Sequence, residues 1–356
     1  MKIIITGNMG YVGPGVVRRL RKSYPSATLI GYDLGYFAHC LTAPPIFPES
    51  LIDCQYFGDV RAFPDEILKG VDAIVHLAAI SNDPMGALFE DLTLATNYQA
   101  SVELARKAKR AGVKSFVFAS SCSVYGMADG RAKTEDDAVN PLTAYAKSKI
   151  MTEEGLKSLA DETFTATCLR FATACGMSDR LRLDLVLNDF VASAIATGRI
   201  TILSDGTPWR PLIHVQDMAR AIDWAVRREN HDGGPCLIIN AGSDQWNYQV
   251  KDLAGAVAHL VPGVEIMINE NAQPDKRSYR VSFEKFTKLA QGFLPEVDLV
   301  TAIAELRDKL RAMEFRDPQF RNSRYMRLVV LRQLKESGVI NENLEWVQKR
   351  KGTDPA

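Results

Sequence analysis

Tyr145 stands four residues before Lys149, and on a helix positions i and i+4 share one face. A free phenol, with a pKa of about 10, is a poor base at neutral pH. A lysine cation one turn away favours the phenolate and lowers that pKa. Reaching roughly 7 takes about 4 kcal/mol of differential stabilisation, more than an exposed i,i+4 pair supplies. A second cation nearby, such as an oxidised nicotinamide, would supply the rest. The pair is therefore chemical equipment only if a nucleotide cofactor sits beside it.

A cofactor signal stands at the other end of the chain. Residues 2–6 are a short apolar run that reads as a strand buried on both faces. Gly7, Gly10 and Gly13 follow at once, and Val16 to Leu20 continue with helical spacing. Strand, glycine turn and helix in this order make a pyrophosphate cradle, with the negative charge at the helix N-terminus. A second strand, Thr28 to Tyr32, ends in Asp33, about 20 residues beyond Gly13. A carboxylate there binds an adenine ribose diol and repels a 2′-phosphate, and no arginine follows within the next several residues. The expected cofactor is NAD.

These residues need elements to position them. Runs at 54–60, 73–79, 115–121 and 165–171 read as further strands, with helical pattern over 90–111 and a helix begun by Pro141 that carries Tyr145. His76 lies inside an apolar run and reads as a core residue. Strands alternating with helices imply an α/β fold, a Rossmann-type doubly wound parallel sheet. After residue 174 the rhythm changes. A helix over 184–197, a hairpin from Ile200 to His214, a helix over 215–228 and a strand at Cys236 to Asn240 that rejoins the sheet are expected. The expected domains are an NAD-binding part at 1–174, rejoined by about 213–245, and a smaller discontinuous α/β cap at 175–212 and 246–330 for the substrate. A helical tail over 331–356 completes the chain and is expected to pack on the cap or on a partner subunit.

Composition narrows the classes. Of 356 residues, 43 are Lys or Arg and 43 are Asp or Glu, a net charge of zero. That balance gives no support for a nucleic-acid partner. Six cysteines without Cys-x-x-Cys spacing read as reduced thiols, not as a disulfide frame or a metal site. The chain passes straight into its first strand, so no signal peptide is expected. No apolar run approaches the roughly 20 residues a membrane span needs. A cytoplasmic protein is expected.

Gly7-x-x-Gly-x-x-Gly13, Asp33, Asp59, Leu77-Ala78-Ala79, Ser121 to Gly126, Tyr145-x-x-x-Lys149 and Trp209-Arg210 to Val215 occur in order. Together they resemble the extended short-chain dehydrogenase/reductase family, in its nucleotide-sugar epimerase/dehydratase branch. The resemblance spans about residues 1–290. It implies a catalytic trio of Ser121, Tyr145 and Lys149. It implies NAD contacts from the glycine loop (Gly7, Met9, Gly10, Tyr11, Val12, Gly13), from Asp33, Asp59, Val60, Leu77, Ala78 and Ala79, and from Tyr145 and Lys149, with Lys149 on the nicotinamide ribose. Asn97 would steady the cofactor side. A nucleotide-diphosphate sugar would meet Ser81, Cys122, Ser123 and Thr173, with its diphosphate at Arg210, Asn188 and Arg277. A homodimer through the helices at 90–111 and 141–160 is implied by the same likeness.

The departures from the family pattern matter. The related 4,6-dehydratases carry Asp-Glu directly after the catalytic hydroxyl residue, where this chain has Cys122 and Ser123. Without that acid and base, loss of water lacks its proton carriers. Thr173 stands where the family often has Asn. Arg180 and Arg182, near the start of the cap, read equally as substrate-charge readers and as solvated surface. The leading expectation is an epimerase that passes hydride to NAD and back. A one-way NAD(P)H-dependent 4-ketoreductase is the alternative. Enolisation beside a ketone, with Cys122 or Ser123 serving, and a cofactor-sensing binding protein are further readings.

Overall fold

Ile3, Ile4 and Ile5 have no solvent exposure, so their strand must be covered on both faces. The computed structural model of the protein describes residues 1–81, 88–127, 130–269 and 278–347. It contains β1 (Lys2–Thr6), β2 (Thr28–Asp33), β3 (Cys54–Phe57), β4 (Ala73–His76), β5 (Ser115–Ser121) and β6 (Thr165–Phe171). The short β7 (Thr173–Cys175) is followed by β8 (Arg199–Ile202), β9 (Trp209–His214) and β10 (Cys236–Ala241), and then by β11 (Asn247–Gln249) and β12 (Glu265–Ile268). The central sheet has seven strands in the order β10-β6-β5-β4-β1-β2-β3, every pair parallel. This is a Rossmann-type α/β fold. The strand order reverses between β1 and β4, and open sheets of this kind bind ligands at the carboxyl ends beside that point.

Among the described residues the helices are α1 (Gly13–Ser23), α2, α3 (Ala144–Leu159), α4 (Val186–Thr197), α5 (Val215–Arg227), α6 (Val250–Leu260), α7 (Glu284–Leu289), α8 (Leu299–Ala312) and α9 (Arg327–Glu336). Helix α2 runs as Glu90–Leu94, a π-turn at Ala95–Gln99, and Ala100–Arg110. Helix α3 begins at Ala144, because the Thr143 hydroxyl caps it by accepting from the Ala146 amide at 3.2 Å. Pro141 lies before the helix rather than opening it.

Two apolar cores flank the sheet, one containing Ile3, Ile5 and Val117 and the other Ile4, Phe116 and Phe118. A separate core holds α4, α6 and α8 together around Leu187, Leu253 and Leu306. Several expectations change here. The segment 200–214 is no hairpin. Strand β8 pairs parallel with β12, while β9 pairs with β7 and β11, because the turn between them sends each strand to distant partners. Tyr279, Val281, Phe283 and Phe286 pack on the sheet core, not in the cap core. The C-terminal segment packs Leu331, Ile340 and Leu344 against Ile80, with Tyr36 and Phe37 beside them. It lies on the loops that follow β2 and β4.

Candidate active site

The turn after β1 is shaped for close approach. Gly7 has φ of +73°, and a Cβ there would sit 2.6 Å from the Ala78 amide nitrogen. A Cβ on Gly13 would sit 2.0 Å from the Asn8 carbonyl oxygen. Only glycine fits either place. The turn opens into a cavity of about 1230 Å3 lined by Gly7, Gly10, Tyr11 and Val12. Ordinary single-ligand pockets hold roughly 300–1,000 Å3. The cavity extends from Asp33 to Arg210, which leaves room for a dinucleotide and a second nucleotide.

At one end Asp33 accepts from the amides of Met9 at 3.0 Å and Gly35 at 2.7 Å. Burial raises its pKa, with those two amides opposing the shift. Asp59 also lines the cavity, but its carboxylate already receives the Arg61 amide at 2.8 Å and Arg61 Nε at 2.8 Å. Val60, Leu77, Ala78 and Ala79 complete this wall. Met9 and Gly13 do not line it; they act through the Asp33 bond and the tight turn.

At the sheet's carboxyl end, Ser121 terminates β5 and its Oγ accepts from the Ser123 amide at 3.2 Å. Tyr145 and Lys149 project from the first turns of α3 into the same cavity. Lys149 is 3% exposed. Its Nζ donates to the Ala119 carbonyl at 2.7 Å and lies 5.3 Å from the centre of the Tyr145 ring. Burial pulls the Lys149 pKa down to about 8. One turn on, Glu153 accepts from Ser120 Oγ at 2.5 Å and from Arg170 Nη2 at 2.7 Å, so the end of β5 is braced from behind. His76 sits between Thr6 Oγ1 at 2.7 Å and Ser101 Oγ at 2.8 Å, and burial drives its pKa down to about 3. It is a neutral core residue.

Asn97 does not reach the cavity. It sits in the π-turn of α2, a form of helix defect frequent at functional sites. Its side chain accepts from the Ile80 amide at 2.8 Å and donates to the Ile80 carbonyl at 2.9 Å. The π-turn frees its own carbonyl to accept from Ser101 Oγ at 2.7 Å and Thr152 Oγ1 at 2.8 Å. Asn97 thus fixes the loop carrying Ala79 and Ser81.

Thr173 and Arg210, with Ser123 from the turn after β5, also line the cavity wall. Arg182, left open by the sequence, is 7% exposed. It grips Asp184 with Nε and Nη2, each at 2.9 Å, and donates Nη1 to Ser81 Oγ at 3.1 Å. Arg180 has no exposure and pairs with Glu49 at 2.6 Å. Neither arginine is solvated surface. Two of the substrate candidates do not face the cavity. Cys122 has no exposure, donates to the Arg170 carbonyl at 3.1 Å, and burial pushes its thiol pKa well up. Asn188 is consumed by the Gly176 amide at 2.9 Å, the Tyr11 hydroxyl at 3.0 Å and the Arg182 carbonyl at 2.8 Å. Arg277 lies outside the described residues. Tyr36, Arg327, Leu331 and Leu344 also line the wall, and sequence reasoning missed them because no spacing ties them to one another.

A parallel sheet in this order, with the glycine turn and Asp33 at one end of a cavity and Ser121, Tyr145 and Lys149 at the other, is the layout of the extended short-chain dehydrogenase/reductase class. Residues 3–242 match the model of the NAD dependent epimerase/dehydratase family, and the chain belongs to that family, in its nucleotide-sugar epimerase branch. Its cofactor is NAD, and the cradle that a Cβ would fill and the Asp33 carboxylate fit that group. An uncharacterized UDP-glucose epimerase of Bacillus subtilis is 29% identical over 85% of this chain and 99% of its own. A dTDP-glucose 4,6-dehydratase of Streptomyces griseus is 27% identical over 85% and 92%. In fold, the chain is similar to MoeE5 in complex with UDP-glucose and NAD, with a TM-score of 0.74 and 24% identity, covering 88% of this chain and 99% of that one.

Proposed function

We propose that the protein is a nucleotide-sugar epimerase that acts by transient oxidation of a sugar carbinol. The observation that carries this reading over the dehydratase one is the turn after Ser121. Cys122 is folded into the core there, and Ser123 offers only a hydroxyl. The cavity's cap-side carboxylates are already paired, Asp184 with Arg182 and Asp189 with Arg321. Asp184 is held below the usual carboxylate range: the Arg182 charge and hydrogen bonds outweigh its burial. Asp184, ionised and paired, is therefore a poor proton donor for elimination; burial raises the Asp189 pKa, but Arg321 engages both of its oxygens.

Asp33 would hold the adenosine ribose of NAD, and the glycine turn with the start of α1 would hold its pyrophosphate. When bound, NAD supplies a hydride acceptor that can return the hydride. Ser121 orients the reacting sugar oxygen through its hydroxyl. Tyr145 takes the hydroxyl proton and later gives it back. Lys149 favours the Tyr145 phenolate by its charge. Arg210 grips the sugar-linked diphosphate, and the wide cavity lets the keto sugar turn before reduction on its other face.

The test is incubation of the NAD-loaded enzyme with UDP-, dTDP-, GDP- and CDP-sugars, followed by NMR of the sugar protons. A stereoisomeric product without net change in NADH is expected. Stoichiometric NADH consumption with a 4-keto sugar, and no isomerisation, would replace the epimerase with the ketoreductase.

A further inference from the structure

After α8 the chain leaves the cap and crosses to the loops that follow β2 and β4. Met326, Arg327, Leu328, Leu331, Arg332 and Leu344 form the outer side of the nucleotide cavity, facing Asp33, Tyr36 and Phe37. The far end is packed on the same loops, with Ile340 and Leu344 buried against Ile80. Trp346 Nε1 donates to the Leu34 carbonyl at 2.8 Å, its ring lies 5.3 Å from that of Tyr36, and the Tyr36 hydroxyl donates to the Leu344 carbonyl. MoeE5 is covered over 99% of its length by only 88% of this chain, so part of this chain has no counterpart there.

Arg327 is the unusual residue of this segment. It opens α9, lines the cavity and is 1% exposed. Its guanidinium donates to the Arg180 carbonyl at 2.8 Å and to the Arg324 carbonyl at 3.5 Å, and lies 4.6 Å from the centre of the Phe37 ring. All three partners are neutral. The Cys40 thiol lies against the guanidinium as well, and burial raises that thiol's pKa, so it too is uncharged. Arg180 and Arg182 each have a carboxylate, Glu49 and Asp184. Among the described residues Arg327 forms no salt bridge, and the Asp184 charge that acts on it from farther off is already gripped by Arg182. Burial pulls its pKa down to about 10. A buried cation without a counter-charge is costly. A cation so placed on a cavity wall is matched when the ligand brings the anion, and a planar guanidinium suits phosphate oxygens.

We propose that residues 320–347 are a strap over the nucleotide cavity and that Arg327 is its anion ligand, pairing with the diphosphate of a bound nucleotide. The diphosphate is that of NAD or that of the nucleotide sugar. The inference rests on the nucleotide chemistry of the site and not on which sugar reaction follows. The ligand's charge adds to the packing that holds the strap, and the strap in turn holds the ligand.

The test uses the full chain stripped of nucleotide, with Arg327→Gln and Arg327→Lys beside the wild type. Thermal unfolding of the apoproteins, calorimetric affinity for NAD and for UDP, and protease cleavage within 320–347 are measured. Apo Arg327→Gln is expected to be at least as stable as the wild type, since it removes an unmatched buried charge. Its affinity for one of the two nucleotides should fall about tenfold to a hundredfold, the scale of a lost charge-assisted hydrogen bond. That nucleotide should also cease to protect the strap, with partial recovery in Arg327→Lys. A fall for NAD assigns Arg327 to the dinucleotide pyrophosphate; a fall for UDP assigns it to the substrate diphosphate. Affinities for both within twofold of wild type, whatever the stability, would overturn the proposal.

Discussion

Lys149 is held where a charge is hardest to keep, although its charge is what the Tyr145 phenolate needs. It donates to the Ala119 carbonyl and lies beside the rings of Phe118 and Tyr145, at 4.7 Å and 5.3 Å. The folded pKa of about 8 lies below the roughly 10.4 of an unfolded lysine. Below pH 8 both states carry the proton. Between about 8 and 10.4 only the unfolded chain does, so raising the pH through that window favours the folded state. The full effect is up to about 3 kcal/mol. Urea unfolding of the apoprotein and of Lys149→Met at pH 7 and pH 10 should show the wild type gaining on the variant at the higher pH. A constant gap would show that the buried lysine keeps its proton. The companion residue is tested by turnover. Tyr145→Phe keeps the ring against Lys149 and removes the proton carrier, so turnover should drop by about a hundredfold or more while NAD still binds. Near-normal turnover would remove Tyr145 from the chemistry.

The unit that aims these residues is β5 with α3 and β6. Glu153, on α3, receives Ser120 of β5 and both Nε and Nη2 of Arg170 on β6. Arg170 passes a bond to the Tyr125 hydroxyl at 3.0 Å, and Tyr125 donates to Asn240 of β10 at 2.7 Å. One buried ion pair therefore braces the Ser121 turn across three strands. Glu153→Gln keeps the shape and leaves the Arg170 cation uncompensated. It should cost about 3 kcal/mol or more of stability, read as a lower denaturation midpoint, and lower activity through misplacement of Ser121. An unchanged midpoint would mean the network is not energetically coupled. Little of this was visible in the chain alone. Tyr145, Lys149 and the glycine turn are legible because each is a short-range spacing on one element. The Glu153–Arg170 pair and the π-turn at Asn97 are not, since they arise from contacts between elements. The supposed hairpin at 200–214 failed for the same reason: β8 finds β12 and β9 finds β7, partners that no local alternation announces.

On the scale of the molecule, the cavity lies where the sheet core and the cap core face each other. The sheet was readable because runs such as Ile3–Ile5 and Phe116–Phe118 are apolar on both faces, the signature of a covered parallel sheet. The seam was not readable, because polar residues make it. Tyr11 of the glycine turn donates to the Gly176 carbonyl at 2.5 Å, and Ser178 Oγ donates to the Tyr11 carbonyl at 2.6 Å. Asn188 of α4 completes the seam through Gly176, Tyr11 and Arg182. The sequence offered Asn188 as a diphosphate contact; its geometry makes it a fastener between cap and sheet. The two roles give opposite results in one variant. Asn188→Leu strands the buried Gly176 amide and the Arg182 carbonyl. As a fastener it should cost about 1–3 kcal/mol for each such group, seen in thermal unfolding of the apoprotein, with UDP affinity changed only a few-fold. As a diphosphate ligand it should leave apo stability nearly unaltered and weaken UDP tenfold or more. Because its Oδ1 and Nδ2 are both already engaged inside the protein, the first pattern is the expected one.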